Sequence, residues 1–279
     1  SEEEIVCDNV GSEGYSIIFM DSSLDGKTFV VTMKKSSMGS KHRYAVLLID
    51  LVKNTQTSII QNTDKHIDYL EVSDCGKYVI FGQNDKVYFY NVINRRLDEL
   101  GVRVSGTTYR SPSLSHDSKS IVFTCSSGDI WQYDIDNGIE KAITNSKGGD
   151  FWNPCFTPDN NALICARKND EEKHYSLWRL NIGTKALTKL ASIDEDDIWS
   201  GNEAKNTKAV LFSTGDDFYY LKDKEVQLLL AGSNSAGWHN VLIDDSGHYA
   251  LLSNGRTPVH VAKTDGSFCL NFFMITNEQ

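Results

Sequence analysis

One short unit recurs along the chain, and it limits the possible folds more than any other feature. The unit is an apolar strand, a turn of the form Ser-x-Asp-Gly-Lys, and a second strand with alternating apolar residues. Its copies are Ser23-Leu24-Asp25-Gly26-Lys27, Ser73-Asp74-Cys75-Gly76-Lys77, Ser115-His116-Asp117-Ser118-Lys119, Thr157-Pro158-Asp159-Asn160-Asn161 and Asp244-Asp245-Ser246-Gly247-His248. A degenerate copy falls at Ala204-Lys205-Asn206-Thr207-Lys208. Taking Asp25, Asp74, Asp117, Asp159, Asn206 and Asp245 as markers, successive copies lie 49, 43, 42, 47 and 39 residues apart. Six units of roughly 40 to 50 residues match the period of a β-propeller. The turn residues have a local cause: Asp and Ser cap the turn through neighbouring backbone, and Gly takes the positive φ of a tight hairpin.

Each turn leads into an apolar strand: Thr28–Met33, Tyr78–Phe81, Ile121–Cys125, Ala162–Cys165, Ala209–Phe212 and Tyr249–Leu252. Alternation predicts strands half-buried between sheets. A third, often aromatic strand follows at Tyr44–Asp50, Val87–Asn91, Ile130–Asp134, Leu177–Asn181, Phe218–Leu221 and Val259–Lys263. More polar fourth strands, such as Leu97–Leu100, Lys141–Thr144 and Leu187–Leu190, suit outer edges. No window carries a helical stripe. The expected fold is all-β: a single domain, a six-bladed β-propeller of four-stranded antiparallel blades. The blades run over 14–63, 64–105, 106–148, 149–193, 194–235 and 236–279, and 1–13 is a candidate closing strand beside the outer strand at Cys269–Met274.

Two central copies carry a family resemblance. Ser111-Pro112-Ser113-Leu114-Ser115-His116-Asp117-Ser118-Lys119-Ser120-Ile121-Val122-Phe123 and Asn153-Pro154-Cys155-Phe156-Thr157-Pro158-Asp159 resemble the Pro-x-Phe-Ser-Pro-Asp-Gly-Lys-x-Ile-x-Phe repeat of TolB-like six-bladed propellers. Asp129-Ile130-Trp131-Gln132-Tyr133-Asp134-Ile135-Asp136-Asn137-Gly138 fits the same pattern. The fifth and sixth units depart from it: the fifth lacks Asp-Gly, and neither has the Pro before the turn. The resemblance implies loops converging on one face around a central channel, where some propellers cleave sugar acids by elimination.

With 28 basic and 38 acidic residues the net charge is −10, which argues against nucleic acid as a partner. No apolar run is long enough for a spanning helix. The six cysteines, Cys7, Cys75, Cys125, Cys155, Cys165 and Cys269, form no Cys-x-x-Cys pair and read as free thiols, with a Cys155–Cys165 hairpin bridge as the minor alternative. Unpaired thiols favour a reducing, cytoplasmic setting, whereas the resemblance leaves the periplasm or secretion open. The chain begins at Ser1, so the lack of a signal peptide is uninformative.

Repeat register points to a site. Seven residues before each marker stand Ile18, Ile67, Arg110, Trp152, Trp199 and Trp238, and the next positions are Phe19, Asp68, Ser111, Asn153, Ser200 and His239. The candidate ligand-binding set is Trp152, Trp199, Trp238, Arg110, Asp68, His239 and Asn153, an aromatic wall with a few polar groups. The same tryptophan position would also suit a wedge between blades. The insertions Lys34–Arg43 and Lys168–His174 and the acidic runs Asp194-Glu195-Asp196-Asp197 and Asp216-Asp217 belong to the same expected face. Facing outward, these carboxylates form a solvated rim; facing inward, they hold a cation or attract a basic partner. Asp134–Gly138 lacks the later ligands of a calcium loop and reads as a turn.

No nucleophile elbow, phosphate loop or zinc-hydrolase motif occurs. His66 and His239, with Asp68, offer the one site for a His/Asp lyase. The leading reading is a monomeric binding or scaffolding module, not an enzyme, that docks a protein or peptide on the channel face. The alternative is a carbohydrate-binding propeller, or a polysaccharide lyase or hydrolase with a metal-assisted site there. No cofactor is expected for the module, and Ca2+ is the ion the alternative would use.

Overall fold

The computed structural model describes residues 15–36, 42–100, 109–145, 149–169, 171–194, 196–215, 217–231, 240–253, 259–267 and 269–272. The proposed closing strand 1–13, Trp238 and His239 lie outside these residues, and Arg110 is described in its backbone alone. All regular structure among the described residues is β. Six four-stranded sheets follow one another, each with its strands in sequential order.

The first sheet is β1 (Tyr15–Ser22), β2 (Thr28–Ser36), β3 (His42–Asp50) and β4 (Thr55–Thr63). The second is β5 (Ile67–Val72), β6 (Tyr78–Gln83), β7 (Lys86–Asn91) and β8 (Arg96–Leu100). The third is β9 (Tyr109–Leu114), β10 (Ser120–Cys125), β11 (Ile130–Asp134) and β12 (Ile139–Ala142). The fourth is β13 (Asp150–Phe156), β14 (Ala162–Lys168), β15 (Ser176–Asn181) and β16 (Leu187–Ala191). The fifth is β17 (Ser200–Glu203), β18 (Val210–Ser213), β19 (Phe218–Lys222) and β20 (Glu225–Leu230). The sixth is β21 (Asn240–Ile243), β22 (Tyr249–Ser253), β23 (Val259–Lys263) and β24 (Cys269–Phe272). Two compact units contain them: Ser1–Ser126 with Gln132–Lys141, and Ser127–Trp131 with Ala142–Gln279.

The second strands of the second to fifth sheets are buried on both faces, not half-buried as alternation predicts, whereas β22 alternates as expected, with Tyr249 and Leu251 exposed and Ala250 and Leu252 buried. All four residues of β18 are buried, because neighbouring sheets cover both sides. Val210 and Phe212 pack with Ile164 and Leu177 of the fourth sheet, while Leu211 turns the other way to Val241, Ala250 and Leu252 of the sixth. In the first unit Val46 and Leu48 meet Leu70, Val79 and Phe81 across the first two sheets. One inner pair repeats: Phe81 stacks on Tyr88 and Phe212 on Tyr219, each with centroids 5.3 Å apart and planes 13° from parallel. The fourth strand of the fifth sheet, β20, has exposed side chains from Glu225 to Leu228. Residues 139–142 form the fourth strand of the third sheet, two residues earlier than Lys141–Thr144. Lys34–Ser36 and His42–Arg43 are strand, not insertion, since β2 and β3 pair from Ser36↔His42 onward.

The turns are held mainly by their first residue. The N–H groups of Thr28, Tyr78, Ser120 and Ala162 donate to the hydroxyls of Ser23, Ser73, Ser115 and Thr157 at 3.0, 3.0, 2.9 and 3.1 Å. In the last copy Tyr249 donates to Asp244 Oδ1 at 2.8 Å. Ser23 and Thr157 in turn donate to Asp25 and Asp159, which chiefly through that bond hold carboxyl pKa values of about 2. Residues 135–138 are a turn, in which Asn137 N donates to Asp134 Oδ1 at 3.0 Å.

Register excludes a Cys155–Cys165 bridge: Cys155 lies opposite Ile164, Cys165 lies opposite Trp178, and both are free thiols. Burial pushes the Cys165 thiol up to about 12.

Candidate functional site

Trp152 enters β13 just before a bulge, where the register with β14 jumps between Trp152 and Cys155. Asn153 sits in the bulge at φ 46°, as Ser111 does at φ 50° in β9. Short polar side chains tolerate this left-handed conformation, which accounts for Ser111 and Asn153 at these two bulges. The bulge also gives Asn153 a second role. Its Nδ2 donates to the Trp199 carbonyl at 2.5 Å, fixing the chain where it enters β17.

The structure brings Trp152 and Trp199 together. Their rings meet edge to face, with centroids 6.2 Å apart and planes at 87°. Trp152 is half-buried, and Trp199 is 36% exposed. Tyr175, absent from the residues read from sequence, forms a second edge on Trp152 at 6.0 Å and 68°. Its signal was its place at the end of the Lys168–His174 insertion. The Lys168 ammonium lies 4.9 Å from the Tyr175 ring centre.

Loop-to-loop bonds hold this arrangement. Tyr175 N donates to Asp197 Oδ1 at 2.7 Å, Ile198 N donates to the Tyr175 carbonyl at 3.0 Å, and Trp199 N donates to the Ser213 carbonyl at 2.9 Å. His174 Nδ1 lies 3.5 Å from Asp197 Oδ1. The acidic loop thus faces the aromatic cluster, with Asp197 pinned by backbone and Asp196 Oδ1 accepting Asp197 N at 2.8 Å. A methyl group built on Gly215 would stand 3.6 Å from Asp196 Oδ1 and 3.9 Å from Trp199 Nε1, so the carboxylate and the indole edge both adjoin that glycine.

Burial and nearby carboxylates both act on the tyrosines here. Burial raises the Tyr175 pKa, and the charges of Asp150 and Asp197 push it the same way. Burial and then the Asp217 carboxylate, which accepts the Tyr219 hydroxyl at 3.1 Å, drive Tyr219 up to about 12. Among the described residues no group of three or more His, Cys, Asp or Glu side chains is arranged to hold a metal ion.

The other candidates belong to the first unit. The Asp68 carboxylate packs against Gly82 of β6, where a methyl group would overlap its Oδ1. His66 is exposed, with its ring edge-on to Tyr44 at 5.3 Å.

No family model and no curated protein matches the chain. Solved structures do. TolB from Acinetobacter baumannii aligns over 92% of this chain and 62% of its own length, with 17% identity and a TM-score of 0.58. The fold is that of a β-propeller. The propeller domain of Cps50 (Swd1) from Myceliophteria thermophila aligns over 94% of this chain and 88% of its own, at 12% identity and a TM-score of 0.66. An oligogalacturonate lyase in complex with manganese aligns over 92% and 77%, at 10% identity and a TM-score of 0.65. At these identities the likeness extends to the fold alone, and the chain spans less than two thirds of TolB.

Proposed function

We propose that this propeller is a binding or scaffolding module that presents a rigid face to a protein or peptide partner. The observation that carries the reading is Trp199, an exposed indole held edge-on by Trp152 and fixed through its own carbonyl by Asn153. A large aromatic surface already locked in place loses little entropy when a partner covers it, which is the character of an interface anchor. The loops around it are tied to each other by backbone bonds, so the face is formed before the partner arrives.

The test is a thermal-shift comparison of wild type, Trp199→Ala and Trp152→Ala against peptides and neutral oligosaccharides. A ligand that binds the native state raises the melting temperature by mass action. A peptide-induced shift that Trp199→Ala loses, with the ligand-free melting temperature kept, is the expected result. If both variants instead lose the roughly 3 to 5 kcal/mol typical of a buried tryptophan, the rings are packing wedges and the reading fails. A shift with oligosaccharide alone makes the face a carbohydrate site.

A further inference from the structure

The chemistry of the Trp152–Trp199 corner narrows the partner. Aromatic faces carry negative quadrupole density and attract cations, most strongly for tryptophan. This wall already holds one cation, since the Lys168 ammonium rests over Tyr175 at 4.9 Å. The same sheet repeats the contact: the Arg167 guanidinium lies 4.8 Å from the Trp178 ring centre and 5.5 Å from that of Phe151. Trp199 differs from these rings in being exposed. Asp196 Oδ1 and the Trp199 indole nitrogen both border the space at Gly215 where a side chain would stand. Asp217 and Asp197 stand close by, the first bonded to Tyr219 and the second to Tyr175 N.

We propose that the exposed Trp199 ring and the Asp196 carboxylate, which meet at Gly215, form a subsite for a cationic side chain, arginine or lysine, of the partner polypeptide. The inference rests on the peptide-binding reading above and makes it specific. The ring takes the flat or methylene portion of the side chain, and the carboxylate takes the charge. A guanidinium suits both, because it stacks on aromatic faces and offers paired donors to a carboxylate. Neutral sugars would use the ring and gain nothing from the acid.

The experiment is fluorescence anisotropy on the full chain with three labelled peptides of one design: Gly–Arg repeats, the same with Gln, and the same with Glu. Tryptophan quenching by a neutral oligosaccharide forms a fourth arm. The Arg peptide is expected to bind at least about tenfold tighter than the Gln peptide, and to weaken between about 50 and about 500 mM salt as screening shortens. Trp199→Ala is expected to reduce that affinity roughly three- to thirty-fold, the range for a cation on an aromatic ring. Asp196→Asn keeps the Oδ1 acceptor for Asp197 N and removes the charge, so it should flatten the salt dependence while the melting temperature holds. This second variant decides the question if Trp199→Ala unfolds. Equal, Trp199-dependent binding of Arg and Gln peptides overturns the cationic subsite and leaves the peptide-binding reading standing. Arg-peptide binding indifferent to both substitutions overturns the subsite too, placing the contact elsewhere. Binding of the oligosaccharide alone, or of no ligand, overturns both.

Discussion

At the scale of single residues, two glycines in equivalent turns separate backbone strain from crowding. Gly26 has φ +67° with open space where a side chain would go; Gly76 has φ +69°, and a methyl group there would lie 2.7 Å from Thr28 Oγ1. The left-handed conformation costs an L residue about 1 to 2 kcal/mol, so Gly26→Ala should lose that much. Gly76→Ala should lose more, by roughly 1 kcal/mol or above, as overpacking adds to strain. Urea midpoints of the two variants provide the check; equal losses would mean that Thr28 swings aside at no cost. The hydroxyl at the head of each turn is as consequential. Ser115 Oγ accepts from Ser120 N at 2.9 Å and donates to Asp117 at 2.6 Å, so Ser115→Ala should cost about 1 to 2 kcal/mol. Sequence pattern showed the Ser, Asp and Gly of these turns, because their bonds reach only five residues along the chain.

At the scale of elements, β15 and β17 are joined by a buried carboxylate. Glu203 is fully buried and accepts from the Arg179 guanidinium, with Lys208 Nζ 3.3 Å from its Oε1. Removing one partner of a buried pair leaves a charge without compensation, a change worth about 3 to 5 kcal/mol. Lys208 remains in Arg179→Met, so the expected loss is about 2 to 3 kcal/mol. Lys208→Met, at a half-exposed cation, should lose less. Chemical unfolding of both variants ranks them, and the reverse order would assign the pairing to Lys208. This network is absent from the repeat pattern, for it links residues 24 apart through two strands of neighbouring sheets. Tyr175 was missed for the same reason: it meets Trp152 across a loop whose path depends on its bonds to Asp197 and Ile198.

At the scale of the whole molecule, titration of one interior group should be visible in the unfolding curve. Glu71 Oε1 accepts Leu114 N at 3.1 Å and its Oε2 accepts the Tyr69 hydroxyl at 2.5 Å, while Asp21 Oδ2 accepts Val72 N at 2.7 Å. Each carboxyl ties its own sheet to the inner strand of the next. Burial first, then the Asp21 charge, raises Glu71 to about 8 from its ordinary 4.5, and burial raises Asp21 as well. The native state therefore keeps a proton that the unfolded chain releases. Stability should be highest near or below pH 4.5 for this group and fall as pH rises towards 8, with a slope of at most about 1.4 kcal/mol per pH unit. Glu71→Gln should flatten that slope in denaturant unfolding followed from pH 5 to pH 8; an unchanged slope would assign it to other groups. The six units, their four-strand order and their turns are legible along the chain, since all three follow from hydrogen bonds and alternation within a few tens of residues. Only the packed molecule shows that the second strands of the second to fifth sheets are buried on both faces, that the bulge at Asn153 joins Trp152 to Trp199, and that an acidic loop faces an aromatic ring. Those outcomes depend on where neighbouring sheets and loops come together, and residues separated by twenty to fifty positions carry no local periodicity that records it.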